Sequence, residues 1–307
     1  MRTSRSLRTA EFAVLMVAVA WGTSYVAMKN VTSTVETADF IVLRFASAAI
    51  LLTLLTLPRL RSITRAETLL GLTYGVLLFV ILGMETIGVH SSTAANAGFL
   101  ISLSVILVPM LDRLLFRMRI HKLIIPCLLL ALIGTALTSL SGDMQIRSGD
   151  LLIMGAALLR ALQTVLYARI KQKTPPSPLR ITVVQMWTVV LLALIVGGFD
   201  LGRLHATVTG ISRPTAAWIV YLGVCCTAAA FLVQLWVAPK MSPTTVGLLL
   251  ATEPIFAGIS AISIGNESLS PVQVIGGTLI VVSVLAARAI NSVPPEQQPD
   301  QNRPPRH

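Results

Sequence analysis

Apolar residues in this chain arrive in long unbroken stretches, not in the short alternating runs of soluble strands. Stretches of sufficient length cover 11–29, 38–57, 68–89, 94–115 and 121–140, and then 150–170, 180–199, 214–237, 244–264 and 271–290. A helix needs about 20 apolar residues to cross the hydrocarbon layer of a bilayer, so each stretch predicts one transmembrane helix. The breaks between them carry turn chemistry: Pro58, Ser141-Gly142-Asp143, Pro175-Pro176 with Pro178, Gly210 with Pro214, Pro243 and Pro271. From Val293 onward the chain is rich in Pro, Gln and Asp, and predicts a disordered tail.

Ten predicted spans divide into two fives at the polar linker that begins at Gly142. Five is odd, so two related halves must enter the membrane from opposite sides. Internal likeness supports the division. Trp21-Gly22-Thr23-Ser24 has its counterpart in Arg160-Ala161-Leu162-Gln163, and Leu43-Arg44-Phe45 in Val184-Gln185-Met186. Glu85 and Gly98 each precede Gln234 and Gly247 by 149 positions. The expected fold is therefore an all-α membrane protein of ten transmembrane helices in two inverted five-helix repeats. Its parts are a short N-terminus (1–10), the repeats (11–140 and 150–290) and a tail (291–307). Inverted repeats of this kind characterise secondary transporters, whose sites lie near the midplane where the halves meet.

Composition agrees with lipid as the solvent. Of 307 residues, 54% are hydrophobic and only 12% charged, and the mean hydropathy is +0.80. A soluble domain carries about 25% charge. The net charge of +11 would suggest nucleic acid on a folded soluble surface, but here the basic residues sit between apolar stretches and set orientation instead. With the N-terminus in the cytoplasm, 18 Lys and Arg fall on inside connections and 4 outside, with Arg44 and Arg160 left within spans. Both termini are thus expected on the cytoplasmic side of an inner (plasma) membrane. The first stretch ends at Lys29 without a small-residue cleavage site, so it reads as a retained span, not a leader. Cys127, Cys225 and Cys226 lie in apolar stretches and imply neither a disulfide framework nor a CxxC metal site.

Several short motifs together resemble the EamA-like branch of the drug/metabolite transporter superfamily. They are Ala20-Trp21-Gly22-Thr23-Ser24, Leu43-Arg44-Phe45, and Ala94-Ala95-Asn96-Ala97-Gly98-Phe99-Leu100 with Pro109. Later come Ser242-Pro243, Glu253-Pro254-Ile255-Phe256-Ala257, Gly265-Asn266-Glu267 and Gly276-Gly277. The resemblance extends over about 11–290. It implies a ten-helix carrier that moves small organic solutes, often outward, through a central cavity. The chain departs from the family pattern in three places: Glu85 where Gln is frequent, Arg160 where Trp is frequent, and no acidic residue near Arg119. Two of these departures put formal charge inside the membrane.

Ionisable groups in a span cost about 2.5–3.5 kcal/mol at a helix centre on insertion scales, and therefore face a cavity or a partner. Arg160 and Glu253 are both central in their spans, and their opposite charges invite a pair that either holds solute or closes the bundle. Arg44 either faces the cavity or reaches the outer headgroups. Glu85, nearer the outer end of its span, is either a solvated rim group or a proton site. Asn96, Gln163, Gln185 and Gln234 are hydrogen-bonding candidates for the cavity or for gluing helices together. Trp21 and Tyr25, four residues apart, share one helical face. Pro109 and Pro254 interrupt equivalent late helices and are hinge candidates. Gly71-Leu72-Thr73-Tyr74-Gly75 is a GxxxG match, read as close packing within the chain or across a homodimer.

No GxxxxGK[ST] run, HExxH helix or Asp-rich metal loop occurs, so ATP-driven pumping by this chain and zinc proteolysis are set aside. Neither cofactor nor metal is expected. The partners expected are a small-molecule solute, the lipid bilayer and a coupling proton, in a monomer or homodimer, with no nucleic acid. The expected function is secondary transport of small organic metabolites, amino acids or related solutes, outward and by alternating access. An embedded enzyme acting on a lipid-borne substrate is the competing reading. The short connections offer little room for the surface His, Asp or Ser clusters such enzymes use.

Overall fold

The computed structural model describes residues 2–116, 123–139, 147–168, 177–237, 240–241, 246 and 249–292. The Gly142 break, the Pro175-Pro176 turn, Ser242-Pro243, Gly247 and the tail from Val293 lie outside the described residues. The elements are all helical among the described residues: α1 (Arg2–Thr32), α2 (Thr37–Leu60), α3 (Arg65–His90), α4 (Ala94–Ile101), α5 (Ser104–Phe116), α6 (Ile124–Ser139) and α7 (Ser148–Ala168). They continue with α8 (Pro178–Val196), α9 (Leu201–Gly210), α10 (Arg213–Val220), a π-helical segment (Tyr221–Ala229), α11 (Ala230–Val237), α12 (Glu253–Ser263) and α13 (Pro271–Ser292). Seven helical stretches are long and apolar enough to cross a membrane, and two shorter apolar ones lie over Ile125–Gly134 and Pro271–Ala287.

The described residues near several helix ends assign those ends to a face by what they touch. Ala10 and Val14 near the start of α1 pack with Val237 and Met241. Arg180 at the start of α8 reaches Glu67 and Ser62 at the start of α3. These define the face that carries the N-terminus. On the opposite face, Lys29 and Ala94 meet Glu267, Ser92 bonds Asp150 at the start of α7, and Arg203 meets Asp39. Helices α1 and α7, which open the two halves, therefore start on opposite faces. The halves are inverted.

The packing respects that inversion. Numbered by the ten spans the sequence predicts, the first half holds 1 (α1), 2 (α2), 3 (α3), 4 (α4–α5) and 5 (α6), and the second 6 (α7), 7 (α8), 8 (α10, the π segment and α11), 9 (ending in α12) and 10 (α13). The principal contacts pair 5 with 10, 3 with 7, 3 with 6, 2 with 7, 2 with 8, 1 with 9, 4 with 6, 4 with 9 and 1 with 8. Exchanging each span for the one five places away returns the same set. Small residues make the matching crossings possible. A Cβ on Gly71 would lie 2.5 Å from Val184 Cβ, and one on Gly75 would overlap Thr188, both on α8. In the mirrored crossing, Gly223 meets Ser47 and the Arg44 carbonyl. The GxxxG match is thus used by packing within the chain.

Three features depart from the expected pattern. Span 4 is not one helix. After Ile101 the bonds Leu103 N–H to Leu100 O, Val105 N–H to Ser102 O and Ile106 N–H to Leu103 O tighten the chain into an i→i−3 turn before α5 resumes. Span 9 does the same at Thr252 N–H to Leu249 O and Ile255 N–H to Thr252 O. These breaks stand at equivalent places of the two repeats. Pro254 fits its break, since it sits in the first turn of α12, where a missing N–H costs nothing. Pro109 lies inside α5, past the break at Ser102-Leu103.

Second, the connection between the predicted spans 180–199 and 214–237, marked in the sequence by Gly210 and Pro214, contains α9. This polar, exposed helix is tied to α2 by Arg203 to Glu36 (2.9 Å) and Asp39 (3.1 Å), and by Thr207 Oγ1 to Asp39 (2.9 Å). The hydrogen bond to Asp39 holds the Arg203 guanidinium protonated above its ordinary range. Ten residues of mixed polarity are too few to register as a span or to be told from a loop by composition.

Third, Glu267 closes the face opposite the N-terminus. Its Oε1 accepts from Ala94 N–H (2.8 Å) and pairs with Lys29 Nζ (2.7 Å), and Oε2 accepts from Ala95 N–H (3.1 Å). One carboxylate from the second half thereby caps α4 and holds α1, both in the first half. Replacing Glu267 by Ala strands two helix-terminal N–H groups, and a lost cap costs about 1–2 kcal/mol. A lower melting temperature and faster amide exchange at Ala94 and Ala95 are the expected results. Unchanged exchange there would remove the cap.

Candidate functional site

The charged side chains within the bundle converge where α1, α2, α3, α7, α12 and the π segment meet. Helix α1 approaches α12 so closely that a Cβ on Gly22 would stand 2.6 Å from Phe256 Cβ and 2.8 Å from both Ala257 N and Glu253 O. Glycine is the residue that allows this crossing. One turn further along the same face, Tyr25 reaches α12 and donates its phenolic proton to Glu253 Oε1 at 2.7 Å. Glu253 is the first residue of α12, and the partial positive charge of a helix N-terminus favours a carboxylate there.

Arg160 donates through Nη2 to Glu85 Oε1 at 2.5 Å, and the Glu85 side chain is 4% exposed against 30% for Arg160. The sequence invites an Arg160–Glu253 pair and leaves Glu85 as either a solvated rim group or a proton site. Instead Glu85 is buried and takes Arg160, and Glu253 takes Tyr25. The reason lies in the packing: α3 lies along α7 over much of its length, whereas α12 lies along α1. Arg160 still feels Tyr25 and Glu253 electrostatically, so the four groups form one cluster.

Arg44 does not extend to the headgroups. It is buried, its Nε donates to Thr227 Oγ1 (3.4 Å) midway along span 8, and its Nη1 points at Met28 Sδ (3.3 Å). It too feels Glu85, Arg160 and Tyr25. Trp21 Nε1 donates to the Cys226 carbonyl at 2.7 Å, and Cys226 Sγ donates back to the Ala20 carbonyl at 3.2 Å. Tyr221 and Thr23 share a hydrogen bond at 2.5 Å. These contacts knit α1 to the π segment. In that segment Thr227 Oγ1 bonds the Leu222 carbonyl five residues back (2.9 Å). Wider turns of this kind recur at functional sites.

The amides have other work. Gln163 Nε2 (3.1 Å) and Gln185 Nε2 (3.4 Å) both donate to the Tyr74 carbonyl, joining α7 and α8 to α3. Gln234 Nε2 donates to the Ala230 carbonyl of its own helix (3.4 Å). Asn96 is buried in the first turn of α4, where its backbone N–H donates to Thr93 Oγ1 (3.0 Å). Trp21, Tyr25, Arg44, Glu85, Arg160 and Glu253 are thus brought together, whereas Gln163, Gln185 and Gln234 donate to backbone carbonyls and Asn96 sits in the first turn of α4. Sequence reading missed Met28, Cys226, Thr227 and the π segment. No residue type in Tyr221–Ala229 advertises a π turn; the close-packing glycine Gly223 is the sole hint.

Burial around the cluster is lopsided. On the far side, all eight residues of α4 are buried; on the N-terminal side, α5 has Ile106 alone buried. A groove of about 380 Å³ does exist in the fold, but it is apolar, lies between α2, α3 and α8, and holds no ionisable group. Its lining shares no residue with the cluster. Among the described residues no group of His, Cys, Asp and Glu is placed to hold a metal ion.

Comparison with known proteins fits this arrangement. A solved crystal structure of a protein superposes with a TM-score of 0.60 over 93% of this chain and 99% of that one, at 17% identity, which speaks to fold alone. An uncharacterized transporter of Archaeoglobus fulgidus is 24% identical over 276 residues, spanning 90% of this chain and 84% of that protein. The EamA-like transporter family matches twice, over residues 8–140 and 147–288, so each inverted half is one copy of the family unit. Two copies covering nearly the whole of an all-helical, membrane-spanning chain leave one conclusion: this protein belongs to the EamA-like transporter family.

Proposed function

We propose that the chain carries a small organic metabolite outward across the plasma membrane by alternating access, with both termini in the cytoplasm. One observation carries this reading: four polar contacts of the central cluster join one half to the other. Tyr25 to Glu253, Glu85 to Arg160, Arg44 to Thr227 and Trp21 to the Cys226 carbonyl all cross the boundary between the repeats. Rocking one half against the other must break and remake them, and a solute that replaces some of these contacts biases that equilibrium. The helix breaks at Ser102-Leu103 and Ala251-Thr252 supply matched points of give.

Burial supports a form closed on the face of α4 and Glu267 and approached from the N-terminal face, where a solute leaving the cytoplasm would enter. Glu85 and Glu253 are the carboxylates that would carry a proton in exchange. Flux into proteoliposomes, with and without an imposed pH gradient, tests this. The gradient should drive uptake by the native protein, and the variants Glu85→Gln and Glu253→Gln should lose that drive. Gradient-driven flux that survives in both variants would remove proton coupling. No flux of any solute would remove the transport proposal itself.

A further inference from the structure

We infer that the transported solute carries a carboxylate and that Arg44 receives it. The inference rests on the transport reading and names the chemistry of its solute. Arg44 stands apart from the other described arginines that are not exposed. Arg160 has Glu85, Arg180 has Glu67, and Arg203 has Asp39 and Glu36. Arg44 is 7% exposed, and among the described residues it forms no ion pair. Its hydrogen-bonding partners are a hydroxyl at 3.4 Å and a thioether sulfur at 3.3 Å, and its guanidinium lies 5.4 Å from the Phe45 ring centroid. A guanidinium offers five donors, and thioether sulfur is a weak acceptor, so most of its capacity is unspent. Burying such a cation without an anion is costly.

The fold does not require that charge. At the equivalent place in the second half stands Gln185, a neutral amide that meets the matching packing demand by donating to the Tyr74 carbonyl at 3.4 Å. A charge kept at cost on one side of a pseudo-symmetric site has a use that packing does not supply. The printed neighbours of its guanidinium, Thr227, Met28 and Phe45, include no anion. Glu85 is engaged by Arg160 and Glu253 by Tyr25, so neither carboxylate is bonded to Arg44. The ligand that fits a guanidinium fork in a dry site is a planar, two-oxygen anion held by parallel N–H bonds. A carboxylate meets that description. It would come either on an amino acid, whose ammonium would face Glu253, or on a simple carboxylic acid.

The test uses the full chain in proteoliposomes and a cell metabolite extract as probe, with the accumulated species read by mass spectrometry. A second portion of extract has its carboxylates amidated, and a third has its amines acetylated. The expected result is uptake of carboxylate-bearing species from the untreated extract and none from the amidated portion. Uptake that survives acetylation points to simple carboxylic acids; uptake lost on acetylation points to amino acids. Arg44→Gln copies the residue of the second half, so it should keep the melting temperature and elution volume of the native protein. It should lose carboxylate uptake about 30-fold or more, as removal of one partner from a buried charge pair does. Arg44→Lys, which keeps the charge without the fork, should fall between. Accumulated species lacking carboxylates, or equal uptake by folded Arg44→Gln, would overturn the inference and leave transport standing. No uptake from any portion would overturn both.

Discussion

Glu85→Ala is expected to cost about 3 kcal/mol of stability and to abolish flux. Removing one member of a buried ion pair strands the other, at about 3–5 kcal/mol. The lower figure applies because the Arg160 side chain is 30% exposed and water reaches part of the stranded guanidinium. The double variant Glu85→Gln/Arg160→Gln removes both charges together. Replacing a whole buried pair by neutral groups is often neutral or stabilising, so the double variant should melt close to the native protein. The cycle of single and double variants, followed by thermal unfolding in detergent, isolates the coupling between the two side chains. Flux should stay lost in the double variant, because a neutral pair no longer makes the bundle sense charge in the solute or the proton gradient. A Glu85→Ala variant that melted with the native protein would show that the pair does not hold α3 to α7.

Much of this fold is legible in the sequence because lipid imposes a coarse demand. Each crossing needs an apolar run near twenty residues, and such runs are hard to mistake. The inversion follows from the odd number of spans in each half. The central charges are legible for the same reason: Arg44, Glu85, Arg160 and Glu253 stand out because an ionisable residue in a span needs a partner. Which partner each takes is not legible. Arg160 and Glu253 sit at similar depth, and only the packing of α7 on α3 and of α12 on α1 decides that Arg160 meets Glu85 instead. Glu85 stays open between rim and buried site in the sequence because distance from a helix end does not report whether a neighbouring helix covers that end. Glu67 shows the same limit from the other side. It reads as a plain helix-start residue, yet it is 2% exposed and accepts from Arg180 (2.6 Å) and the Ser177 N–H (2.8 Å). The π segment and the two helix breaks depend on backbone hydrogen bonds that tertiary packing selects, and residue types record them weakly.

Glycine positions connect this architecture to movement, and they lead to the second large effect. Gly22 and Gly83 are both helical, one in α1 and one in α3. A Cβ on Gly83 meets nothing within 4 Å, whereas one on Gly22 meets the backbone of α12 at 2.8 Å. Gly83→Ala should therefore stabilise, by up to about 1 kcal/mol, through helix propensity. Gly22→Ala should destabilise the form described here by about 1–3 kcal/mol, since no rotamer change relieves contact with backbone atoms. The Gly22 clash belongs to the conformation in which α1 lies against α12. If alternating access separates these helices, the other conformation escapes the penalty, and the same 1–3 kcal/mol shifts the balance toward it by about 5- to 150-fold. Ser24, one turn inside the closed face and buried here, reports the shift. A Ser24→Cys probe should resist an impermeant thiol reagent applied from the Glu267 side in the native background and react readily when Gly22→Ala is added. A protein that melted lower yet left the Ser24→Cys probe protected would mean that the α1–α12 contact is only structural. A probe exposed by Gly22→Ala but not by Gly83→Ala would show that opening begins where α1 leaves α12.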